Sequence, residues 1–196
     1  MLYEVPLNRI NEVADASADA FIGLDDPIGN FMFHNEPDHL ALKRRFYRTL
    51  VTSCAPGAVI HGTSPDLEAV SIWFPPGVDH SEDRDPDPFA AHDFKDPKTM
   101  DRMQAVNDVI DALTHHLGQE PQWYLHLVAV RPQFIGLGYA SLLVSPMQDR
   151  ADKEGLPCTL ITQSTGNVRI YEHWGFEVAR EMTIPGSGEK FYSMRK

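Results

Sequence analysis

Hydrophobic positions in the second half of the chain change period along the sequence, and the change predicts alternating strands and helices. Apolar residues recur at every second position from about 122 to 130, and every third or fourth from about 138 to 153. The remaining predicted elements are a strand at 158–162, a short helix at 167–174 and closing strands near 176–184 and 191–194. Short connections between strand, helix and strand predict a parallel strand pair joined by a right-handed crossover.

The first half predicts helices around a hairpin. The predicted elements are a strand at 3–5, helices at 13–21 and 27–33, a longer helix opening at Glu36-Pro37-Asp38 and ending by Pro56-Gly57, strands at 58–61 and 68–74, and a helix at 98–117. A hairpin together with one crossover predicts an α/β fold of the α+β mixed-sheet kind, a central and mostly antiparallel sheet flanked by helices.

Length and composition predict a globular protein of one domain. The chain has 196 residues, of which 42% are hydrophobic, and no apolar run approaches the roughly 20 residues that cross a bilayer. The N-terminus lacks the basic and apolar blocks of a secretory signal. Only Cys54 and Cys158 are present, both in apolar surroundings, and we expect them to be buried and reduced. These features predict a cytoplasmic protein without a membrane partner.

The negative net charge of the chain limits the classes of partner that it is expected to bind. A net charge of −11 repels a phosphate backbone, so no nucleic acid partner is expected, whereas cationic small molecules such as amines are attracted. Prolines and acidic residues concentrate at 75–97, which predicts a loop. Its acidic part, 79–96, is either a lid that attracts a cationic amine or a solvated segment. The nine histidines show no recurrent ligand spacing, so no metal is expected.

The segment 128–140 is the most informative motif. An apolar strand runs through Pro132 into small residues that open a helix, namely Gly136, Gly138 and Ala140. Bare backbone at a helix start leaves N–H groups unpaired with the positive end of the helix dipole behind them, which suits a pyrophosphate. A dinucleotide fingerprint would need a third glycine and a later acidic residue, and a Walker motif would need Gly-Lys-Ser/Thr; both are missing. A tight turn without a ligand also fits these residues.

With the later segment 167–176, a short helical stretch that carries Tyr171 and leads to Gly175-Phe176, the sequence resembles the GNAT superfamily of N-acetyltransferases. The resemblance implies acetyl-CoA as the donor, held at a splayed parallel strand pair. The implied cofactor-binding residues are Val128, Ala129 and Val130 for the pantetheine, Gly136, Leu137, Gly138, Tyr139, Ala140 and Ser141 for the pyrophosphate, and Asn167 for the pantetheine arm. Asn167 is also expected to cap its helix. Ile135 departs from the family, where Gln or Arg precedes the first glycine.

The chemistry of acyl transfer suggests catalytic residues. When an amine attacks the thioester, the CoA thiolate leaves, and the phenol of Tyr171 can protonate it as a general acid. A base is also useful, and the period of the strand predicts Tyr124, His126, Val128 and Val130 on one face. His126 is the candidate base and Tyr124 a relay, with Glu68 as a competing base. Alternatively, Tyr171 and His126 are core residues with no catalytic role.

Segments 71–77 and 121–125 resemble the puromycin N-acetyltransferase-like branch. That resemblance implies one domain over 1–196, with acceptor-side helices and loops at about 11–117, where Trp73 and Phe31 are candidate substrate-binding residues, and an acetyl-CoA-binding core at about 122–196. We therefore expect an acetyl-CoA-dependent N-acetyltransferase that acetylates a primary amine of a small molecule by direct attack in a ternary complex. The alternative is a non-catalytic CoA-binding domain that keeps the fold. The sequence is compatible with a homodimer, without deciding against a monomer, and does not decide between acetyl and longer acyl groups.

Overall fold

A computed structural model describes residues 2–22, 26–53, 57–78, 89–118 and 120–196. The strands are β1 (Tyr3–Glu4), β2 (Val59–Gly62), β3 (Ala69–Phe74), β4 (Trp123–Val130), β5 (Cys158–Gln163), β6 (Glu177–Thr183) and β7 (Lys190–Arg195). The α-helices are α1 (Ile10–Ile22), α2 (Pro27–Phe33), α3 (His39–Ser53), α4 (Thr99–Leu117), α5 (Tyr139–Glu154) and α6 (Thr165–His173). Each predicted element is therefore found, with ends shifted by a few residues.

The strands form one sheet in the order β1-β2-β3-β4-β5-β7-β6. Every neighbouring pair is antiparallel except β4 and β5, which are parallel and are joined by the crossover through α5. The predicted mixed sheet with one parallel pair is confirmed. The parallel pair lies in the middle of the sheet, so both of its faces are covered by helices.

Apolar side chains on the two faces form separate clusters. On one face, α1 and α3 cover β2 to β4 through residues such as Val13, Val51 and Ile72. On the same face, α2 and α4 cover the β5–β7 side, where Phe33, Leu113 and Phe191 meet. The opposite face carries α5 and α6, whose cluster includes Trp73, Trp123, Leu125, Val144 and Leu160. We call these the acceptor face and the α5 face, and the site lies where the sheet opens between them.

An extra residue in β4 interrupts its alternation. Ile72 of β3 faces Leu127, but the next residue, Trp73, faces Leu125, so His126 forms a β-bulge. A bulge bends its strand and shifts the side-chain alternation by one residue. Side chains before and after His126 therefore follow opposite phases.

The predicted common face for Tyr124, His126, Val128 and Val130 is consequently wrong. Tyr124 packs with Phe74 and Leu117 on the acceptor face. Val128 packs into the cluster of the α5 face, and alternation places Val130 there too. Period-2 arithmetic fails because it assumes an unbroken ladder, and no residue type in this strand signals the bulge.

A buried polar network joins α2 to α3. The Asp26 carboxylate accepts hydrogen bonds from the Gly29 N–H at 2.9 Å and from the Tyr47 hydroxyl at 2.7 Å. Lys43 Nζ lies 3.7 Å from Asp26 and donates to the Asn30 side-chain oxygen. Asp26 and Lys43 are both buried, so each charge is stabilised by the other and by hydrogen bonds. This network holds the short helix α2 in place.

Glu36 has a different role from the predicted opening of α3, which begins at His39. Its buried carboxylate accepts from the backbone N–H groups of Lys95 and Asp96 and from the Thr99 hydroxyl. These hydrogen bonds tie the start of α4 to the α2–α3 connection. Burial alone would raise the pKa of Glu36, but the three donors hold it below its ordinary value.

The cysteines, the acidic segment and the apolarity of the helices were further expectations from the sequence. Cys158 is buried, and desolvation raises the pKa of its thiol to about 12, which makes it an inert packing residue. Cys54 and residues 79–88 of the acidic segment lie outside the described residues. None of the helices in the described ranges is long and apolar enough to cross a bilayer.

Replacing Gly29 by alanine should destabilise the fold, because the added Cβ would collide with Asp26 Oδ2 and lie 2.9 Å from Lys43 Cε. We expect a loss of about 2–4 kcal/mol in the free energy of unfolding, measured by urea denaturation. Gly166→Ala is the control, since its Cβ would meet only Ser164 Oγ at 3.8 Å. Equal stability of the two variants would contradict the role given to the network.

Candidate functional site

The ladder between β4 and β5 is short and opens into a gap. Paired residues run from Trp123 and Cys158 only as far as Leu125 and Leu160. Beyond them β4 continues to Val130, while β5 continues to Gln163 in pairing with β7. In the described part of the chain, no β5 residue pairs with β4 past Leu125. The bulge at His126 lies at the point where the two strands separate.

The polar backbone groups of Val128 and Val130 point into this gap. The Arg131 N–H donates to the Glu68 carbonyl of the β3 side at 2.9 Å, and backbone direction alternates along an antiparallel strand. Ala129 therefore pairs with β3, and Val128 and Val130 face the opposite side. Val128 and Val130 therefore have the backbone orientation that the expected pantetheine contacts require, whereas the backbone polar groups of Ala129 are taken by β3.

The glycines of the turn after β4 are required by the backbone. Gly136 and Gly138 have φ of 82° and 80°, the left-handed region that other residues adopt only with strain. Gly138 is the N-cap of α5, and no side chain caps the helix. The first N–H groups of α5, those of Tyr139, Ala140 and Ser141, therefore have no acceptor within the helix. Such a terminus binds anions.

Other residues of the turn shape its surface. The rings of Phe134 and Tyr139 meet edge to face at 5.7 Å, which supports the turn from one side. Ile135 and Leu137 are 50% and 64% exposed, so neither contributes to the core. The Leu137 N–H is donated to the Phe134 carbonyl at 3.4 Å, which makes it a weaker candidate donor than its neighbours. Ser141 Oγ lies 3.4 Å from Ser145 Oγ, one turn along α5.

Asn167 does not cap α6, contrary to the sequence expectation. The N-cap is Ser164, whose hydroxyl accepts from the Asn167 N–H at 3.3 Å. Ser164 has a φ of 72°, a strained conformation for a residue with a side chain, of the kind that recurs at functional sites. The spacing Ser-x-x-Asn ahead of an apolar period was the available signal for this cap. Asn167 remains at the start of α6, half-buried, near the end of β5.

Tyr171 lies on α6 against the cluster of the α5 face. Its ring makes edge-to-face contacts with Trp174 at 5.5 Å and Phe176 at 5.8 Å. Burial raises the pKa of Tyr171 well above its ordinary value, and an electrostatic interaction with Tyr124 adds to the shift. Tyr124 belongs to the acceptor face, so the two tyrosines interact across the sheet where β4 and β5 separate.

The ring of His126 lies near that of Tyr124. Its ring is 6.1 Å from that of Tyr124 and 5.5 Å, edge to face, from that of Phe74. The gap is therefore bordered by Tyr171 from one face and by Tyr124 and His126 from the other.

The competing base Glu68 lies elsewhere. Its backbone bonds to Arg131, at the far end of β4 from the bulge. Its own N–H and the hydroxyls of Ser64 and Thr63 hold the pKa of its carboxyl below the ordinary value. A carboxylate stabilised in this way is a weak proton acceptor, and Glu68 lies away from the bulge at which His126 is found.

The two expected substrate-binding residues are separated by the structure. Trp73 is fully buried in the cluster beneath α5, so its side chain lines no open surface; its position is a correction to the sequence expectation. Its apolar neighbours on β3 gave no sign of which face it would occupy. Phe31 lines an open cleft of about 440 Å³ between α2 and the β6–β7 turn, together with Asn30, His34, Gly186, Ser187 and Glu189. Sequence reasoning did not find this cleft.

The comparisons with known proteins agree with this geometry. The sequence profile of the Acetyltransferase (GNAT) family matches residues 71–176, more than half of the chain and all of the gap and turn. The protein therefore belongs to the GNAT acetyltransferase family. Acetyltransferases of this family use acetyl-CoA, and the anion-binding helix start and the unpaired edge of β4 fit such a molecule. The described residues contain no cluster of three or more histidines, cysteines or carboxylates that could hold a metal.

Individual relatives are distant. An uncharacterized N-acetyltransferase of Schizosaccharomyces pombe is 35% identical over 68 residues, which cover 35% of this chain and 28% of that protein. A crystal structure described as histone acetyltransferase HPA2 and related acetyltransferase, from Corynebacterium glutamicum, aligns over 100% of this chain and 94% of its own, at 20% identity and a TM-score of 0.63. The arylalkylamine N-acetyltransferase 2 of Aedes aegypti aligns over 100% and 97%, at 14% identity and a TM-score of 0.62. These structures share the fold.

The helix start can be tested with a matched pair of glycine variants. Gly138→Glu should lower the affinity for CoA by on the order of 100-fold or more, because a carboxylate would meet the pyrophosphate. Gly155→Glu is the control, since Gly155 has a φ of 67° at the other end of α5 and open space around it. Calorimetric titration with CoA measures both. Tight CoA binding by the Gly138 variant would refute the assigned site.

Proposed function

We propose that the protein transfers an acetyl group from acetyl-CoA to a primary amine of a small molecule, with both substrates bound together. The observation that carries this proposal is the gap between β4 and β5, because groups from both faces of the sheet border it. Tyr171 belongs to the α5 face, and Tyr124 and His126 border the gap from the acceptor face. A donor in the gap and an amine from the acceptor face would meet there.

The donor-binding residues follow from the unpaired backbone groups. Val128 and Val130 would bind the pantetheine along the free edge of β4, and Gly136, Gly138, Tyr139, Ala140 and Ser141 the pyrophosphate. Asn167 is proposed as a further contact to the pantetheine arm. Acetyl-CoA supplies a thioester, whose carbonyl becomes more negative as the amine attacks. The Val128 N–H is proposed to donate a hydrogen bond to that oxygen.

Tyr171 is proposed to stabilise the leaving group. As the new C–N bond forms and the C–S bond breaks, negative charge develops on sulfur, and the phenol donates a hydrogen bond to it. A raised pKa keeps the phenol protonated at every physiological pH. A phenol with its ordinary pKa near 10 is already a weaker acid than a thiol, whose ordinary pKa is near 8.5, and the raised pKa of Tyr171 widens that difference. Tyr171 therefore acts mainly by donating a hydrogen bond to the sulfur. The amine loses one proton in the reaction, and the CoA thiolate gains one to become the thiol.

His126 is proposed to accept the proton of the amine, because only a neutral amine attacks a carbonyl. The ring of Tyr124 lies 6.1 Å from that of His126, and Tyr124 also interacts electrostatically with Tyr171. This arrangement suits a relay that carries the proton from the amine side towards the sulfur side.

Tyr171→Phe should lower kcat by on the order of 100-fold without changing the Kd for CoA, because the lost hydrogen bond forms only as sulfur becomes charged. Tyr192→Phe is the control, since it removes a hydroxyl from the same cluster on β7, the neighbour of β5 on the side away from β4. The assay follows thiol release with acetyl-CoA and a panel of primary amines. Wild-type turnover by the Tyr171 variant would remove this residue from the mechanism.

The pH dependence of kcat gives a separate check on Tyr171. Its folded-state pKa is raised above the ordinary value of 10, so the phenol stays protonated as the pH rises to that value. We therefore expect that ionisation of Tyr171 causes no fall in kcat between about pH 8 and 10. An alkaline limb present in wild type and absent in Tyr171→Phe would contradict the raised pKa.

His126→Asn should lower kcat/KM by on the order of 10-fold or more at pH 7, because the amine then loses its assisting base. The defect should fade as the pH approaches about 10, near the pKa of an alkylamine, since the solution then supplies neutral amine. A rate ratio that stays constant across this pH range would indicate that His126 only packs.

A non-catalytic CoA-binding domain is not favoured. Loss of the family's Gln or Arg at Ile135 is its main support, yet the contacts proposed for the pyrophosphate are backbone N–H groups that Ile135 leaves unchanged. Membership of the puromycin N-acetyltransferase-like branch, a cytoplasmic location and the oligomeric state remain predictions from the sequence.

A further inference from the structure

The cleft between α2 and the β6–β7 turn carries one formal charge. Among the described residues that line it, only Glu189 is acidic, and none is lysine or arginine. Glu189 is half-buried, and in the described part of the chain no cation pairs with its carboxylate. Phe31 lines the same cleft, and an aromatic ring face also attracts cations. The cleft therefore presents two groups that favour a positively charged ligand.

Nearby cations do not oppose such a ligand, because each already has a partner. Lys43 lies behind the cleft, buried, and is held by Asp26 and by the Asn30 side chain. Lys190 follows Glu189 in sequence but pairs with Glu181 of β6 at 2.8 Å. The two lysines are thus compensated, and His34, which lines the cleft, has a hydrogen bond between its Nδ1 and the Phe31 carbonyl at 3.3 Å. Among the described residues, no cation compensates the carboxylate of Glu189.

The β6–β7 turn holds Glu189 in a fixed place. The Ile184 N–H donates to the Glu189 carbonyl at 2.8 Å, which closes the turn. The Ser187 hydroxyl accepts from the Glu189 N–H at 2.9 Å and donates to the Ile184 carbonyl at 3.1 Å. Both capacities of this hydroxyl are therefore used within the turn. These hydrogen bonds fix the backbone of Glu189, which is the acidic residue on the β6–β7 side of the cleft.

The cleft is displaced from the catalytic gap along the sheet. Tyr124 is level with Thr159 of β5, whereas the β7 residue next to the turn, Phe191, is level with Gln163. Four residues of strand separate these levels, which corresponds to roughly 13 Å. Tyr124 and the cleft share the acceptor face, where Ile161 packs against the clusters of both. Ile161 is only partly buried between the helices that cover this face, so an acceptor that passes over Ile161 could reach from one to the other.

We infer that the acceptor is an elongated primary amine with a second cationic group at its far end, an α,ω-diamine in the simplest case, and that Glu189 binds this second cation in the cleft. The inference rests on the proposed function for the amine that is acetylated. Glu189 is then a specificity-determining residue, because it discriminates a diamine from a monoamine of equal length.

Acetyl transfer to paired substrates tests this inference. The probes are α,ω-diaminoalkanes of about six to twelve carbons and n-alkylamines of the same lengths, whose extended lengths bracket the roughly 13 Å offset. We expect the best diamine to exceed its monoamine in kcat/KM by on the order of 10-fold, and Glu189→Gln to remove that advantage while leaving the monoamine rates unchanged. Glu177→Gln, which removes one negative charge at the other end of β6, should keep the advantage.

Direct binding separates this inference from the proposed function. Calorimetry with the diamine that gives the highest rate, or with 1,10-diaminodecane where no rate is measurable, should show binding to wild type that Glu189→Gln weakens and Glu177→Gln does not. Binding of this kind without thiol release would sustain the inference and defeat the proposed function. Thiol release with monoamines and no diamine advantage dependent on Glu189 would defeat the inference alone. Neither binding nor transfer would overturn both.

Discussion

The structure of this protein depends on the early end of the hydrogen-bond ladder between β4 and β5. Parallel strands in a sheet normally pair along their shared length, but here pairing stops at Leu125 and Leu160. The bulge at His126 bends β4 at that point, while β7 keeps β5 in its own ladder. A sheet that opens in its interior leaves backbone groups unpaired between two covered faces. Such groups need partners, and a bound pantetheine would supply them.

The two faces of the sheet have different roles in the proposed reaction, one towards the donor and the other towards the acceptor. The α5 face carries the helix start for a pyrophosphate and Tyr171, so it suits the donor. The acceptor face carries Tyr124 and the cleft of α2 and the β6–β7 turn. The interaction of Tyr171 with Tyr124 links the two sides through the opening. Buried polar networks around Asp26 and Glu36 hold the elements that shape the acceptor side, at a cost in desolvation that the hydrogen bonds offset.

Local sequence signals were reliable where the physics is local. The positive φ values of Gly136 and Gly138 follow from a turn that must bring bare backbone to a helix start, and the motif predicts both. Tyr171 is expected from its place in a short helix before Gly175-Phe176, and the structure places it on α6 against the cluster of the α5 face. Signals failed where a partner strand or a distant side chain decides. Because of the bulge, Val128 and Tyr124 lie on opposite faces of the sheet. Ser164, and not Asn167, is the N-cap of α6. The side chain of Trp73 packs in the core beneath α5 and is not available to a substrate.

By itself, the sequence determined the order of elements, the mixed sheet, the glycine turn before α5 and the choice of family, because periodicity, glycine positions and helix starts are set by neighbours in the chain. Only the tertiary structure decided which residues share a face, where β4 leaves β5, and that Asn30, Phe31 and Glu189 meet in one cleft. The physical reason is that strand register and helix docking depend on contacts between residues far apart in sequence. Those contacts exist only once the sheet has formed, so no local pattern records them.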